Sequence, residues 1–156
     1  KNLEEAFIKA QIAAYQSEIK EGCVFIGVTD QDKQEMIPAA FEFQQAGRKI
    51  LATAGTFKVL QKAGVTNLEK TSLDRKEAGN IFEYLERNEV ALIVNTTRSR
   101  KRSIDSTHIR RVALLHNLPY FTTVEGTLNL ARALVATDSG KNLSYQPLPL
   151  LQKISS

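Results

Sequence analysis

The chain has 156 residues, of which 42% are hydrophobic and 24% charged, a composition typical of one soluble domain with or without an appendage. It contains no apolar run of membrane-spanning length and no signal-type start, and one cysteine with two histidines excludes a disulfide framework and argues against structural zinc. The formal charge of +4 suits an anionic small molecule as well as a nucleic acid. We therefore expect a cytoplasmic protein without metal or cofactor, an organelle interior being the alternative.

The N-terminal segment differs from the rest of the chain. It begins at Lys1 rather than at methionine, and Asn2–Gln16 is amphipathic, with Leu3 and Phe7 on one side. We expect a piece of a larger protein whose residues 1–21 form a helix and linker from a preceding domain.

From residue 22 onward, short apolar runs alternate with amphipathic stretches. The predicted strands are Cys23–Val28, Lys49–Ala52, Asn67–Lys70, Val90–Asn95 and Tyr120–Thr123. The predicted helices are Asp32–Ala46, Thr56–Ala63, Lys76–Asn88, Asp105–Asn117 and Gly126–Thr137. This alternation predicts an α/β fold of three layers, Rossmann-like, with a five-stranded, mainly parallel sheet over residues 22–137. Residues 138–156 contain two prolines and little periodicity, and we expect a loosely ordered C-terminal tail.

Small hydrogen-bonding residues follow the predicted strands. These are Thr53, Gly55 and Thr56 after the second strand, Asn95, Thr96 and Thr97 at the fourth, and Thr122 and Thr123 at the fifth. Ligands of open parallel sheets bind at the carboxyl ends of the strands, and a helix N-terminus beside a glycine presents N–H groups to an anion. The pattern favours a phosphate site. The alternative is structural, with Thr56 as a simple N-cap and Gly55 as a turn residue.

A basic stretch, TRSRKRSIDSTHIRR, occupies residues 97–111. Arg100 or one of its neighbours could reach a ligand phosphate, whereas most of these cations are expected to be solvated. A nucleic-acid surface is a further alternative, although the stretch has no interleaved aromatic residues.

Catalytic patterns are missing from the sequence. His108 and His116 lie eight residues apart on one predicted helix, which is not a metal-binding spacing, and an exposed or half-buried role is expected for both. No nucleophile elbow or P-loop is present. The residues indicate a site that holds an anion without breaking a bond.

The motifs LATAGT, KAGV, VALIVNTT, SIDSTHIRRVAL and LPYFTT together resemble the methylglyoxal-synthase-like domain family. Within it, the chain is most similar to the C-terminal allosteric domain of carbamoyl phosphate synthetase large subunits, which serve pyrimidine and arginine biosynthesis. The resemblance implies a domain that makes no carbamoyl phosphate but binds a phosphorylated effector: UMP or IMP in bacterial enzymes, UTP or phosphoribosyl pyrophosphate in animal ones. It implies partners in the catalytic domains of the same large subunit and in the glutaminase subunit, and neither nucleic acid nor membrane.

The resemblance also assigns roles to single positions. It implies effector phosphate binding by Lys33, Thr53, Gly55, Thr56 and Lys70. It implies a nucleotide pocket at Asn95, Thr96 and Thr97, with Arg100 as a helper, and an ornithine-side contact at Tyr120 and Thr122.

The stretch LEKTSLDRKEAGN departs from the family pattern. Lys76 is an alternative to Lys70 as the second lysine of the site, because this loop carries an extra residue. The same stretch places Ala78 near the catalytic aspartate of methylglyoxal synthase, so the proton abstraction of that enzyme would lack its base. A lyase of that type, a nucleic-acid-binding module and a structural cap without a ligand are the alternative functions.

Overall fold

Five parallel strands form one sheet in the computed structural model, which describes residues 19–96 and 104–143, without the side chains of 104–106 and 137–143. The strands are β1 (Cys23–Gly27), β2 (Ile50–Ala52), β3 (Leu68–Lys70), β4 (Val90–Asn95) and β5 (Tyr120–Phe121). Their spatial order is β3-β2-β1-β4-β5, and every pairing is parallel. The predicted α/β class with a five-stranded sheet is confirmed.

The helices cover both faces of the sheet. They are α1 (Ile37–Gln45), α2 (Ala54–Ala63), α3 (Ile81–Glu86), α4 (Ile104–Leu115) and α5 (Val124–Leu143), with a short 3-10 helix at Asp30–Asp32. None of the helices in the described ranges is long and apolar enough to cross a membrane.

Alternate strand residues separate two hydrophobic cores. Phe25, Leu51 and Ile93 lie side by side in register and point into the core covered by α3 and α4. Their neighbours Val24, Ile50 and Leu92 point to the opposite face, which α1, α2 and α5 cover. Because both faces are buried, the strands read as continuous apolar runs rather than as an alternating pattern.

Three helix boundaries differ by more than two residues from the predicted ones. The helix expected from Asp32 begins at Ile37, where Pro38 occupies its first turn, and the chain before it forms the 3-10 turn. The helix expected from Lys76 begins at Ile81, since Gly79 has a φ of 75° and Asn80 is the N-cap. The helix expected to end at Thr137 continues to Leu143, so the prediction of loose order is wrong for residues 138–143.

The predicted N-terminal helix Asn2–Gln16, the basic residues 97–103 and the end of the tail, 144–156, lie outside the described residues. At the start of the described chain, the half-buried Ile19 packs on the core beside α1. The Arg48 guanidinium holds this segment by donating to the Lys20 carbonyl oxygen at 2.6 Å and to that of Gly22 at 3.3 Å.

Candidate functional site

The carboxyl ends of β1, β2 and β4 lie side by side at one edge of the sheet. Because β1 is the first strand, the chain winds outward from it in one direction to β2 and β3 and in the other direction to β4 and β5. The boundary between β1 and β4 is therefore the topological switch point, where the connections leave a crevice for ligands.

Thr53 and Thr56 meet at the start of α2, beside the end of β1. Thr53 is the N-cap residue, yet its side chain does not cap the helix. Its hydroxyl donates to the Thr56 hydroxyl oxygen at 3.3 Å, and that oxygen also accepts the Val28 backbone N–H at 3.4 Å. The interpretation of Thr56 as the N-cap is wrong, because Thr56 lies inside the first turn and is fully buried.

Lys33 comes from the segment after β1 and reaches over the same helix terminus. A side chain on Gly55 would begin 2.6 Å from the Lys33 ammonium nitrogen, so the ammonium occupies the space that this glycine leaves. The ammonium forms an ion pair with Asp30, whose side chain is 93% exposed. The hydrogen bond from Lys33, followed by the lysine charge, lowers the pKa of the Asp30 carboxyl below its usual range.

Asn95 and Thr96 are buried at the end of β4. The Thr96 hydroxyl accepts the Thr29 backbone N–H at 3.2 Å, which joins the ends of β1 and β4. The Asn95 amide donates to the Tyr120 hydroxyl at 3.0 Å, and the Arg110 guanidinium lies 5.5 Å from the Tyr120 ring centroid. The predicted nucleotide-pocket residue Asn95 and the predicted ornithine-side residue Tyr120 are thus in direct contact.

Other predicted residues stand apart from this group or outside the described chain. Lys70 is exposed at the end of the edge strand β3, level with Ala52, and Lys76 is exposed in the loop that follows. Thr122 is exposed after β5. Thr97 and Arg100 lie outside the described residues, so their roles stay predictions.

Two groups of residues at this edge were missed from sequence. Asp32 is buried beside Lys33 and accepts the Thr29 hydroxyl at 2.9 Å, which fixes the chain after β1. The signal available in the sequence was the adjacent acid and base, Asp32 and Lys33, shortly after an apolar run. The second group organises the loop of residues 71–80, where buried Asn80 caps α3. The spacing of Asn80 and Glu83 is that of a capping box.

The described polar groups at the crevice are mainly hydrogen-bond donors. No group of three or more metal-binding side chains occurs in the part of the chain that the structure describes. Ala78, which the resemblance places near the catalytic aspartate of methylglyoxal synthase, is an exposed loop residue. The described donors at the crevice are hydroxyls, backbone N–H groups, an amide and an ammonium, which suit an anion that carries further polar groups.

Comparison with known proteins supports the resemblance seen in the sequence. The family model "MGS-like domain" matches residues 35–122. Carbamoyl phosphate synthase large chains from Acidobacterium capsulatum and Brucella suis are each 35% identical, over 96% and 92% of this chain respectively. The chain spans only 14% and 12% of the lengths of those relatives. The Aquifex aeolicus protein named as the C-terminal section of that large chain is 31% identical over 96% of this chain and 28% of its own length.

Proposed function

Because the chain belongs to the MGS-like domain family, we propose that it is the allosteric regulatory domain of a carbamoyl phosphate synthetase large subunit and binds a phosphorylated effector. The observation that carries the proposal is the position of the Lys33 ammonium directly over Gly55, beside the paired hydroxyls of Thr53 and Thr56. A phosphate at the start of α2 would compete with the Asp30 carboxylate for the Lys33 ammonium, and it would lie beside the Thr53 and Thr56 hydroxyls and the first N–H groups of the helix.

The electrostatic contributions at this helix terminus act in the same direction. The first backbone bond of α2 runs from the Phe57 N–H to the Thr53 carbonyl, so the preceding N–H groups have no partner within the helix. Such a terminus stabilises an anion by about 0.3–1 kcal/mol, and a charge-assisted hydrogen bond from Lys33 adds about 1.5–3 kcal/mol. Phosphate binding therefore supplies much of the affinity without base recognition.

The remainder of the effector would extend from α2 towards β4. Asn95 and Thr96 border the crevice on that side and offer an amide and a hydroxyl to a ribose or base. The effector classes that fit are a nucleotide such as UMP, IMP or UTP, or phosphoribosyl pyrophosphate. A second ligand, ornithine, would contact Tyr120 and Thr122 and would share Tyr120 with the Asn95 side of the crevice.

Regulation would follow from unequal affinity. An effector shifts an assembly between two conformations only by as much as it binds one of them more tightly, typically about 1–3 kcal/mol. The partners would be the catalytic domains of the same large subunit and the glutaminase subunit, in the cytoplasm. The domain itself would carry out no step of carbamoyl phosphate formation.

Calorimetric titration of the chain with UMP, UTP, IMP and phosphoribosyl pyrophosphate tests the proposal. We expect at least one compound to bind, and both Thr53→Ala and Lys33→Ala to weaken that compound by at least about 1 kcal/mol. Lys62→Ala is the matched control, because Lys62 is an exposed lysine at the opposite end of the same helix. Absence of binding by all four compounds, or equal losses in the control, would overturn the proposal.

The lyase alternative is tested in a separate assay. Incubation of the chain with dihydroxyacetone phosphate is expected to release no methylglyoxal, since the resemblance places Ala78 near the position of the required carboxylate. If the chain formed methylglyoxal and Thr53→Ala abolished that activity, the site would be catalytic and the proposal of a regulatory site would be wrong.

A further inference from the structure

Arg75 joins three elements that lie on the same side of the sheet. Its guanidinium lies 4.0 Å from the centroid of the Phe82 ring on α3, and its Nη2 is 2.8 Å from Nε2 of His108 on α4. The Phe82 and His108 rings are themselves in edge-to-face contact, with centroids 5.1 Å apart. Arg75 itself belongs to the loop of residues 71–80, so the three side chains connect that loop to two helices.

The base of this loop is fixed beside the candidate site. The Thr71 N–H donates to the Ala52 carbonyl at 2.8 Å, one residue before Thr53. The Thr71 hydroxyl donates to the Gly79 carbonyl at 2.7 Å, which closes the loop on itself. These bonds hold the two ends of the loop. At its tip the Asn80 amide donates to the Arg75 and Glu77 carbonyls, and the Arg75 side chain adds the contacts with Phe82 and His108.

We call the contacts of Arg75 with Phe82 and His108 the tie. The loop that carries Arg75 and the helix that carries His108 follow strands on opposite sides of β1. The loop leaves β3 beside β2, and α4 is the helix of the connection after β4. The contact between Arg75 and His108 therefore links the connection after β3 to the connection after β4 on one face of the sheet.

We propose that Arg75 and His108 are positioning residues for the effector site, holding the loop of residues 71–80 as its wall. This inference rests on the proposed function for the identity of the ligand, but the closure of the loop is a property of the chain alone. A fixed loop lets a ligand bind without ordering that segment, so the tie raises affinity without touching the ligand.

The hydrogen bond between Arg75 and His108 determines which substitutions of His108 can test the tie. A guanidinium can only donate, so Nε2 of His108 is the acceptor in this contact. Glutamine at this position retains a carbonyl acceptor, whereas leucine retains only bulk. His108→Gln should therefore preserve the tie and His108→Leu should break it.

Hydrogen exchange of the ligand-free chain tests the tie directly. The Glu77 and Ile81 amides report the loop, since they donate within it to the Asp74 and Ser72 carbonyls. We expect Arg75→Ala and His108→Leu to speed their exchange about five- to ten-fold, and His108→Gln to restore most of the protection. Amides of β1 should stay unchanged in all three variants.

Arg87→Ala is the matched control. Its guanidinium also stacks on an aromatic ring, 5.0 Å from the Tyr84 centroid, but it lies beyond the end of α3 and outside the loop. Loop exchange that is the same in Arg75→Ala as in Arg87→Ala would overturn the inference.

A titration with UMP separates this inference from the proposed function. If the chain binds UMP, the two variants that break the tie should weaken binding about three- to ten-fold, and His108→Gln and Arg87→Ala should bind like the parent chain. Unchanged affinity in loop-opened variants would overturn the positioning role. If none of the four effector compounds binds the parent chain, the proposed function fails, while the exchange result still decides whether Arg75 and His108 hold the loop.

Discussion

The Lys33 ammonium stands where a side chain on Gly55 would be, and this places the ammonium, paired with the Asp30 carboxylate, over the first turn of α2. The missing side chain is therefore a functional feature in the proposed site rather than a requirement of the backbone, because no left-handed φ occurs at Gly55. Phosphate binding favours glycine at this position, because it leaves space for the Lys33 ammonium, whereas helix stability favours alanine.

Gly55→Ala should therefore change stability and effector affinity in opposite directions. Alanine in the first turn of a helix stabilises the fold by about 0.4–1 kcal/mol when the backbone accepts it, and the flexible end of Lys33 can move aside. The displaced ammonium should bind phosphate less well, so we expect higher stability in urea together with about five-fold weaker effector binding. Loss of both stability and affinity would show instead that the methyl group disturbs the helix.

Tyr84 gives a residue-scale prediction about pH. Its hydroxyl bonds to the Glu69 carboxylate, and this bond, then burial, raises the pKa of Tyr84 to about 12. An unfolded tyrosine titrates near 10. A raised folded pKa means that the stabilisation is complete below about pH 10 and is lost as the pH rises through about 12.

The measurement is the free energy of unfolding of the parent chain and of Tyr84→Phe between pH 8 and 12. The advantage of the parent chain should shrink above about pH 10 because only its unfolded state gains the tyrosinate. A difference that stays constant across this range would contradict the assigned hydrogen bond.

At the scale of elements, Asn80 decides where the loop ends and α3 begins. Its side-chain oxygen accepts the Phe82 and Glu83 N–H groups at 3.0 and 3.2 Å. Its amide donates to the Arg75 and Glu77 carbonyls and to the Glu83 carboxylate. One buried side chain therefore caps the helix and closes the loop.

Asn80→Ala should lower the free energy of unfolding by about 2–3 kcal/mol, because it removes the helix cap together with the hydrogen bonds to the Arg75 and Glu77 carbonyls. Asn80→Asp retains the cap but loses the amide donors, so its stability should lie between the parent and the alanine variant. Urea unfolding measures both. Equal stability of the aspartate variant and the parent would show that the loop carbonyls do not depend on Asn80.

The strands could be predicted from sequence more closely than the helix starts. Val90–Asn95 was predicted with its exact bounds, because six successive buried residues leave no ambiguity about a central parallel strand. The start of α3 was missed by five residues, since a lysine- and glutamate-rich loop has the same composition as an exposed helix. The signal for the start of α3 was the pair Gly79-Asn80. Hydrophobic periodicity does not detect such a local turn and cap.

In the candidate site, too, some features could be predicted from sequence and others could not. The neutral residues after β2 and β4 could be predicted to lie at the same edge of the sheet, because the carboxyl ends of parallel strands share one edge. The contacts between Asn95 and Tyr120 and between Arg75 and His108 span 25 and 33 residues of sequence. No local pattern specifies such pairs, since they depend on how the helices pack across the sheet.

At the scale of the whole molecule, the candidate site lies at the carboxyl edge of the sheet that separates the two cores. Thr56 belongs to the helix layer of α1, α2 and α5, whereas the tie between Arg75 and His108 belongs to the layer of α3 and α4. A ligand that contacts both sides would stabilise the packing of both layers on the sheet.

Thermal unfolding should therefore report effector binding over the whole chain. At a ligand concentration of one hundred times Kd, binding to the folded state contributes about 2.7 kcal/mol, which raises Tm by about 5–10 °C for a domain of this size. In Lys33→Ala, a ten-fold weaker affinity should reduce that rise to about half, because the contribution depends on the logarithm of the ratio of concentration to Kd. Scanning calorimetry with and without UMP makes the comparison, and inorganic phosphate at the same ionic strength controls for non-specific anion effects. If phosphate alone raised Tm as much as UMP does, the site would recognise only the anion, and the proposed contacts with Asn95 and Thr96 would contribute nothing to binding.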